Sequence, residues 1–302
     1  MPKNRSLESL RKLAARHCIT DGGKFRLEHA DPDDVAGLED EHKERAQELL
    51  KDGVERLARL QEKLYAQGQW SLLLIFQAMD AAGKDSTIKH VMSGVNPQGC
   101  QVVSFKAPSQ EELNHDFLWR CARALPARGY IGIFNRSYYE EVLAVRVHRD
   151  LLEAQRLPRP LVTGEIWEHR YEDIRAFERH LAREGTVVRK FFLHVSKKSQ
   201  KKRFLERLED PDKHWKFSAN DLRQRASWSE YMRAYEEMVR QTSSKHAPWH
   251  VVPADHKWYT RLAVAAAIVD ALEELDLEFP KVPRGKKQEL DRARRELLSK
   301  RS

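Results

Sequence analysis

The chain has 302 residues, 41% hydrophobic and 33% charged, with 54 Lys/Arg against 46 Asp/Glu and a net charge of +8. This suits one large α/β domain with extensions, or two small domains, with enough apolar residues for a core. No apolar run approaches the roughly 20 residues of a membrane helix, and MPKNRSLESLRK lacks the apolar stretch of a signal peptide. Cys18, Cys100 and Cys121 show no C-x-x-C spacing and no adjacent His pair, so neither a disulfide framework nor a zinc site is expected. A cytoplasmic protein with no membrane partner is the simplest expectation.

Residues 1–35 mix charge with Gly22-Gly23 and Asp31-Pro32-Asp33-Asp34, and are expected to form an irregular arm. From Asp34 to about Gln67, Leu38, Ala46, Leu49, Leu50, Val54, Leu57, Leu60 and Leu64 recur mostly at steps of three and four, which predicts a long helix. Short apolar runs then predict buried strands at 71–76, 101–105, 130–134, 187–195 and 249–253. Helical patterns lie at about 85–94, 111–124, 138–147, 165–184, 197–209, 219–243 and 257–275. Strands alternating with helices predict a three-layer αβα fold on a central parallel sheet, with ligands at the carboxyl ends of the strands. The expected division is an arm and helix over 1–69, a core over 70–280 with a helical lid at about 196–222, and a basic tail over 281–302. That tail holds nine Lys/Arg and three Asp/Glu, a net +6, leaving +2 for the rest. It reads either as a solvated, partly helical terminus or as an arm that attracts a polyanion.

The stretch 78–87, AMDAAGKDST, follows the first of these strands and opens a helix. It departs twice from the phosphate-loop pattern G-x-x-x-x-G-K-[ST], with Ala78 for the first glycine and Asp85 for the hydroxyl residue. Small residues Ala81, Ala82 and Gly83 leave backbone N–H groups free to face an anion at the helix N-terminus. Lys84 supplies a mobile charge, and Ser86 and Thr87 can cap the helix or offer a hydroxyl. Asp80 would repel phosphate unless a Mg²⁺ ion stood between them; the alternative is an ordinary turn residue. Asp85 reads as a charge partner for the helix N-terminus or as a second metal-linked carboxylate.

A later strand ends in FNRSYYEE, 134–141. Asn135 is a hydrogen-bonder or oxygen ligand, and Arg136 a candidate phosphate clamp. Of the two glutamates that follow, Glu140 and Glu141, one is a candidate to face the site; the alternative for either is a solvated helix face, which is the preferred reading for Glu141. Tyr138, Tyr139 and Trp215 are candidate platforms for a base. In 196–216, eight Lys/Arg cluster, with Lys202 beside Arg203 and with Arg203 and Arg207 four residues apart on one helix face. Two such forks suit an extended phosphate, and Pro211 ends the helix as in a mobile lid. His169 and His194 read as structural, and no Ser-His-Asp arrangement stands out.

Four stretches, MDAAGKDS, GVNPQG (94–99), FNRSYYEEVLAVRVH (134–148) and RFLERLEDPDKHWKFSANDL (203–222), resemble the type-2 polyphosphate kinases in the same order. The resemblance runs from about residue 20 to 275. It implies a P-loop kinase core with a lid, and Mg²⁺-dependent phosphoryl transfer between inorganic polyphosphate and nucleotides, which can run in either direction. Position by position, it makes Asp80 and Lys84 the loop aspartate and lysine, Arg136 the arginine of the second motif, and Arg203 and Arg207 the lid arginines. Many members carry an aspartate on Mg²⁺ where this chain has Asn135. The FNRSYYE form resembles the subgroup that phosphorylates both AMP and ADP, with Glu140 as a substitute charge near the acceptor. The expected partners are therefore polyphosphate, AMP, ADP and ATP, in a homo-oligomer (dimer or tetramer), with no nucleic acid. An ATP-dependent nucleotide kinase of thymidylate-kinase type is the competing enzyme, and a nucleic-acid binder using tail and lid is the competitor from another class.

Overall fold

Ser71-Leu-Leu-Leu-Ile-Phe-Gln becomes the fully buried strand β2 near the middle of a six-stranded sheet in a computed structural model, which describes residues 3–38 and 43–299. The strands are β1 (Cys18–Ile19), β2 (Ser71–Gln77), β3 (Cys100–Ser104), β4 (Ile131–Asn135), β5 (Thr186–His194) and β6 (Trp249–Pro253), in the order β1-β6-β5-β2-β4-β3. All neighbours run parallel except β1, a two-residue antiparallel edge on β6. The five strands expected from sequence are present within one residue at each end. β1 was not expected, since two residues carry no alternation to read.

The helices are α1 (Lys3–Arg16), α2 (Lys43–Gln67), α3 (Lys84–Val91), α4 (Gln110–Leu113), α5 (Trp119–Ala122), α6 (Ala144–Val147), α7 (Arg149–Glu153), α8 (Ile166–Arg183), α9 (Lys197–Glu209), α10 (Ala219–Ala226), α11 (Trp228–Thr242), α12 (Lys257–Glu273) and α13 (Arg284–Ser299). Side chains alternate along β5, so Lys190 and Phe192 face Glu178 of α8 and Tyr235 of α11, while Arg189 points to Glu274 beyond α12. Helices thus cover both faces. α12 is buried almost all round because the sheet lies on one side and α1 and α2 on the other.

Several helix expectations need correction. Residues 3–16 form a helix, not an irregular arm, with Leu10 and Ala14 buried on one face. Its Leu7, Leu10, Leu13 and Ala14 spacing was readable beneath the charges. The long helix begins at Lys43 instead of Asp34, because 32–37 is a series of turns; the expected stretch 39–42 lies outside the described residues. Three expected helices are broken: 111–124 and 138–147 into short pieces, and 219–243 at Ser227 into α10 and α11. Among the described residues, no helix is long and apolar enough to cross a membrane.

Candidate active site

The parallel strands β2 and β4 are paired to their ends, so Phe76 lies opposite Asn135 and the loops that follow both strands open at one edge of the sheet. After β2 the chain turns through Ala81 at φ 62° and Gly83 at φ 107° into α3. Gly83 suits that conformation without strain, whereas Ala81 holds it at a cost. Ala78 is not among the left-handed residues, so the missing first glycine does not strain the backbone. Lys84 opens α3 and folds back, its Nζ donating to the Ala78 carbonyl at 2.8 Å. Burial, and next the Arg136 cation, push the Lys84 ammonium down to about 8, against the pull of Asp80, Glu140 and Asp85.

Arg136 follows β4 with φ 66°. Its Nη2 donates to Asp80 Oδ1 at 2.6 Å and its Nη1 to Glu140 Oε2 at 3.4 Å, so one guanidinium stands between two carboxylates. Asn135 Nδ2 donates to Asp85 Oδ1 at 2.6 Å. That bond accounts for Asp85 where a hydroxyl residue is usual: an amide next door can donate to it, and a carboxylate could not.

α9, in the segment expected to form a lid, docks by its first half. Gln200 donates to the Asp80 carbonyl at 3.0 Å. Arg203 spends its fork on four backbone carbonyls: Ala81 (3.1 Å), Ala82 (2.8 Å), Ala254 (2.6 Å) and Asp255 (3.0 Å). The Asp255 carboxylate in turn accepts from the N–H and hydroxyl of Ser196, at the start of α9. Arg207, one turn on, leans toward Asp221 at 3.8 Å.

These elements enclose a cavity of about 610 Å³. Asp80, Ala81, Gly83, Lys84, Asp85, Ser86, Asn135, Arg136, Arg203 and Arg207 of the expected site residues all line it. Glu140 reaches it through Arg136, and Ala82 is buried against the loop. Lys202 is exposed and not part of the lining. Tyr139 must be corrected: it is fully buried, bonded to Glu178 and Lys190, and presents no face to a base. Tyr138 is buried likewise, which leaves Trp215, 78% exposed on the cavity rim, as the aromatic of the three that is open. Glu141 is also corrected, being buried against Arg170 (3.2 Å) and Gln155 (2.8 Å) instead of solvated. A second cavity of about 500 Å³ lies under residues 16–34, near Arg16, Lys24 and His194, and holds none of the expected site residues.

Asp221 is the main residue that sequence reasoning missed. It is 8% exposed, lines the cavity, and is pushed above the usual carboxylate range by burial and then by the nearby Asp80 carboxylate. Its sequence signal, S-A-N-D, is that of a helix cap, and it does cap α10 through Ser218. The capping role hid the second one. Lys106 and Lys257 also line the cavity without having been singled out. Among the described residues, no three His, Cys, Asp or Glu converge as a metal cage.

A phosphate-type loop at the end of a central parallel strand, faced by an arginine from the next strand and covered by a cationic helix, defines a phosphotransferase of the P-loop kinase type. Residues 40–280 match the family model of polyphosphate kinase 2 (PPK2), and the chain belongs to that family. It is 54% identical over 259 residues to an ADP-polyphosphate phosphotransferase of Rhodopseudomonas palustris, covering 85% of this chain and 90% of that one. It is 45% identical over 265 residues to an AMP/ADP-polyphosphate phosphotransferase of Meiothermus ruber, covering 88% and 95%. The crystal structure of polyphosphate kinase 2 from Arthrobacter aurescens TC1 superposes with a TM-score of 0.82 at 43% identity, covering 92% of this chain and 95% of that one.

Proposed function

We propose that this enzyme moves a phosphoryl group from inorganic polyphosphate to AMP, and then to ADP, with Mg²⁺. The observation that carries this reading is the make-up of the cavity. Lys84, Arg136, Arg207, Lys106, Lys213 and Lys216 reach it from the loop, the sheet and the lid, with Phe105 and Trp215 as its aromatic surface. Such a lining holds a long anion by charge and asks little of a base. The names of the R. palustris and M. ruber relatives support the same donor and acceptors.

The residues fit a Mg²⁺ ion. Mg²⁺ takes one or two carboxylates together with phosphate oxygens, so a three-residue cage is not required. Asp80 and Asp221 are the carboxylates that would hold it, with Ser86 offering a hydroxyl nearby. When bound, Mg²⁺ offsets the negative charge of the reacting phosphates. Asn135 is engaged with Asp85 and is assigned to holding the loop, not to the metal.

Lys84, once charged, and the Arg136 fork stabilise charge that spreads over the transferred group. Asp80 and Glu140 keep the Arg136 plane in place from two sides. The attacking atom is a nucleotide phosphate oxygen, ionised at neutral pH, so the site needs no strong general base. Arg203 holds the lid helix to the loop, and Arg207 faces the donor. The test is chromatography of nucleotides from purified protein, Mg²⁺, polyphosphate and AMP. ADP appearing first and ATP second is the expected result; unchanged AMP defeats the proposal.

A further inference from the structure

Arg136 has a left-handed backbone, which a non-glycine residue holds only when its surroundings impose it. Of its two carboxylate partners, Glu140 lies in the turn 137–142 and Asp80 in the loop after β2, so Arg136 stands between them only while that turn keeps its place against the sheet. That turn is held from below. The hydroxyls of Tyr138 and Tyr139 both donate to one oxygen, Glu178 Oε1, at 2.9 and 2.7 Å. Lys190 donates to the other oxygen at 2.7 Å, to the Tyr139 hydroxyl at 2.9 Å and to the Thr242 carbonyl at 2.7 Å. Glu178 and Lys190 are 1% and 0% exposed, and neither lines the cavity.

We propose that the buried Glu178–Lys190 pair is a positioning device for Arg136, acting through the hydroxyls of Tyr138 and Tyr139. It rests on the reading of Arg136 as the phosphate clamp. Apolar side chains of equal volume would fill this space, often with no loss of stability, but without direction. Two hydroxyls meeting at one carboxylate oxygen fix the two residues that begin two positions after Arg136, and with them its φ and ψ. Burial, and next Glu178, push both phenols well above their ordinary range, so they remain donors at any working pH. The three anchors come from α8, β5 and the end of α11, so the turn is tied to the core on the sheet face opposite α12. Gln77 supports the same turn from β2: with its amide turned so that nitrogen faces the Glu140 carboxylate, the orientation its neighbours favour, it donates to Glu140 at 2.8 Å and accepts from the Ser137 N–H at 3.2 Å.

The test uses the full chain with Tyr138→Phe, Tyr139→Phe and both together, which keep volume and remove only the hydroxyls. Hydrogen exchange by mass spectrometry follows segment 134–143 against strand 71–77, and kinetics are run well below each variant's melting point. In the double variant, exchange over 134–143 should quicken about tenfold or more with 71–77 unchanged, since local opening is cheaper than global unfolding. Its kcat should fall about tenfold or more, with KM for polyphosphate within about twofold, the split expected when transition-state positioning is lost. If the double variant does not fold, Tyr139→Phe decides, because it removes the Lys190 contact as well as one bond to Glu178. Wild-type exchange and kcat in a folded variant, even with a lower melting point, would reduce the network to a stability element and overturn the proposal. Should the wild-type protein not use polyphosphate, the proposed function falls, and exchange over 134–143 still decides this inference.

Discussion

The sheet-side wall of the cavity, 78–85 and 135–140, is tied by hydrogen bonds into the core, whereas the lid-side wall, 205–216, meets solvent along nearly its whole length. Arg203 and Arg207 show the contrast within one helix. Arg203 is 8% exposed and donates to four carbonyls, while Arg207 has a single long ion pair with Asp221. A wall fixed before the ligand arrives suits chemistry, since its charges need no reorganisation in the transition state. An exposed wall of long cationic side chains suits capture of a polymer of varying length. Changes to the first should therefore act on kcat, and changes to the second on KM for the donor.

The largest effect should come from the fixed wall. Lys84→Ala and Asp80→Ala should each lower kcat at least about a hundredfold, the scale of about 2.7–4 kcal/mol for one placed charge. Steady-state rates, with circular dichroism to confirm folding, check this. Asn135→Asp comes next, because it sets a second carboxylate against Asp85, 2.6 Å from the present amide nitrogen. About a tenfold loss of kcat is expected, largely recovered by adding Asp85→Asn, as a double-mutant cycle would show. Activity should also report the state of Lys84. Its ammonium is pushed down to about 8 by burial and Arg136, and only the charged form serves, so kcat/KM falls as pH rises through about 8. Bound phosphate favours the charged form, so the fall in kcat should come at higher pH. On the exposed wall, Arg207→Ala should raise KM for polyphosphate about five- to tenfold and leave kcat within about twofold. The smallest effect belongs to the tail. α13 is exposed along its described length, and removing residues 281–302 should change kcat by less than about twofold. A complete loss would show that the tail belongs to one of the walls.

The same contrast explains what could be read from the sequence. β2 is a continuous apolar run and β4, β5 and β6 are mostly apolar, and the loop and FNRSYYE motif sit at the ends of β2 and β4, so their meeting at one edge followed from a parallel sheet. The division of labour between Arg203 and Arg207 was not legible, because an i, i+4 pair says which face of a helix is shared and not what lies opposite. Tyr139 failed as a base platform for a related reason. Its partners, Glu178 and Lys190, are distant in sequence, and nothing in FNRSYYE tells a tyrosine over a cavity from one under it. Asp221 was hidden by a capping pattern that accounts for it fully at the local level.

The central claim, that this site takes its phosphoryl group from polyphosphate, is tested most directly by offering AMP and Mg²⁺ with either polyphosphate or ATP as the only donor. The account predicts rapid formation of ADP and then ATP from polyphosphate, abolished in Lys84→Ala. Efficient conversion with ATP and none with polyphosphate would contradict it.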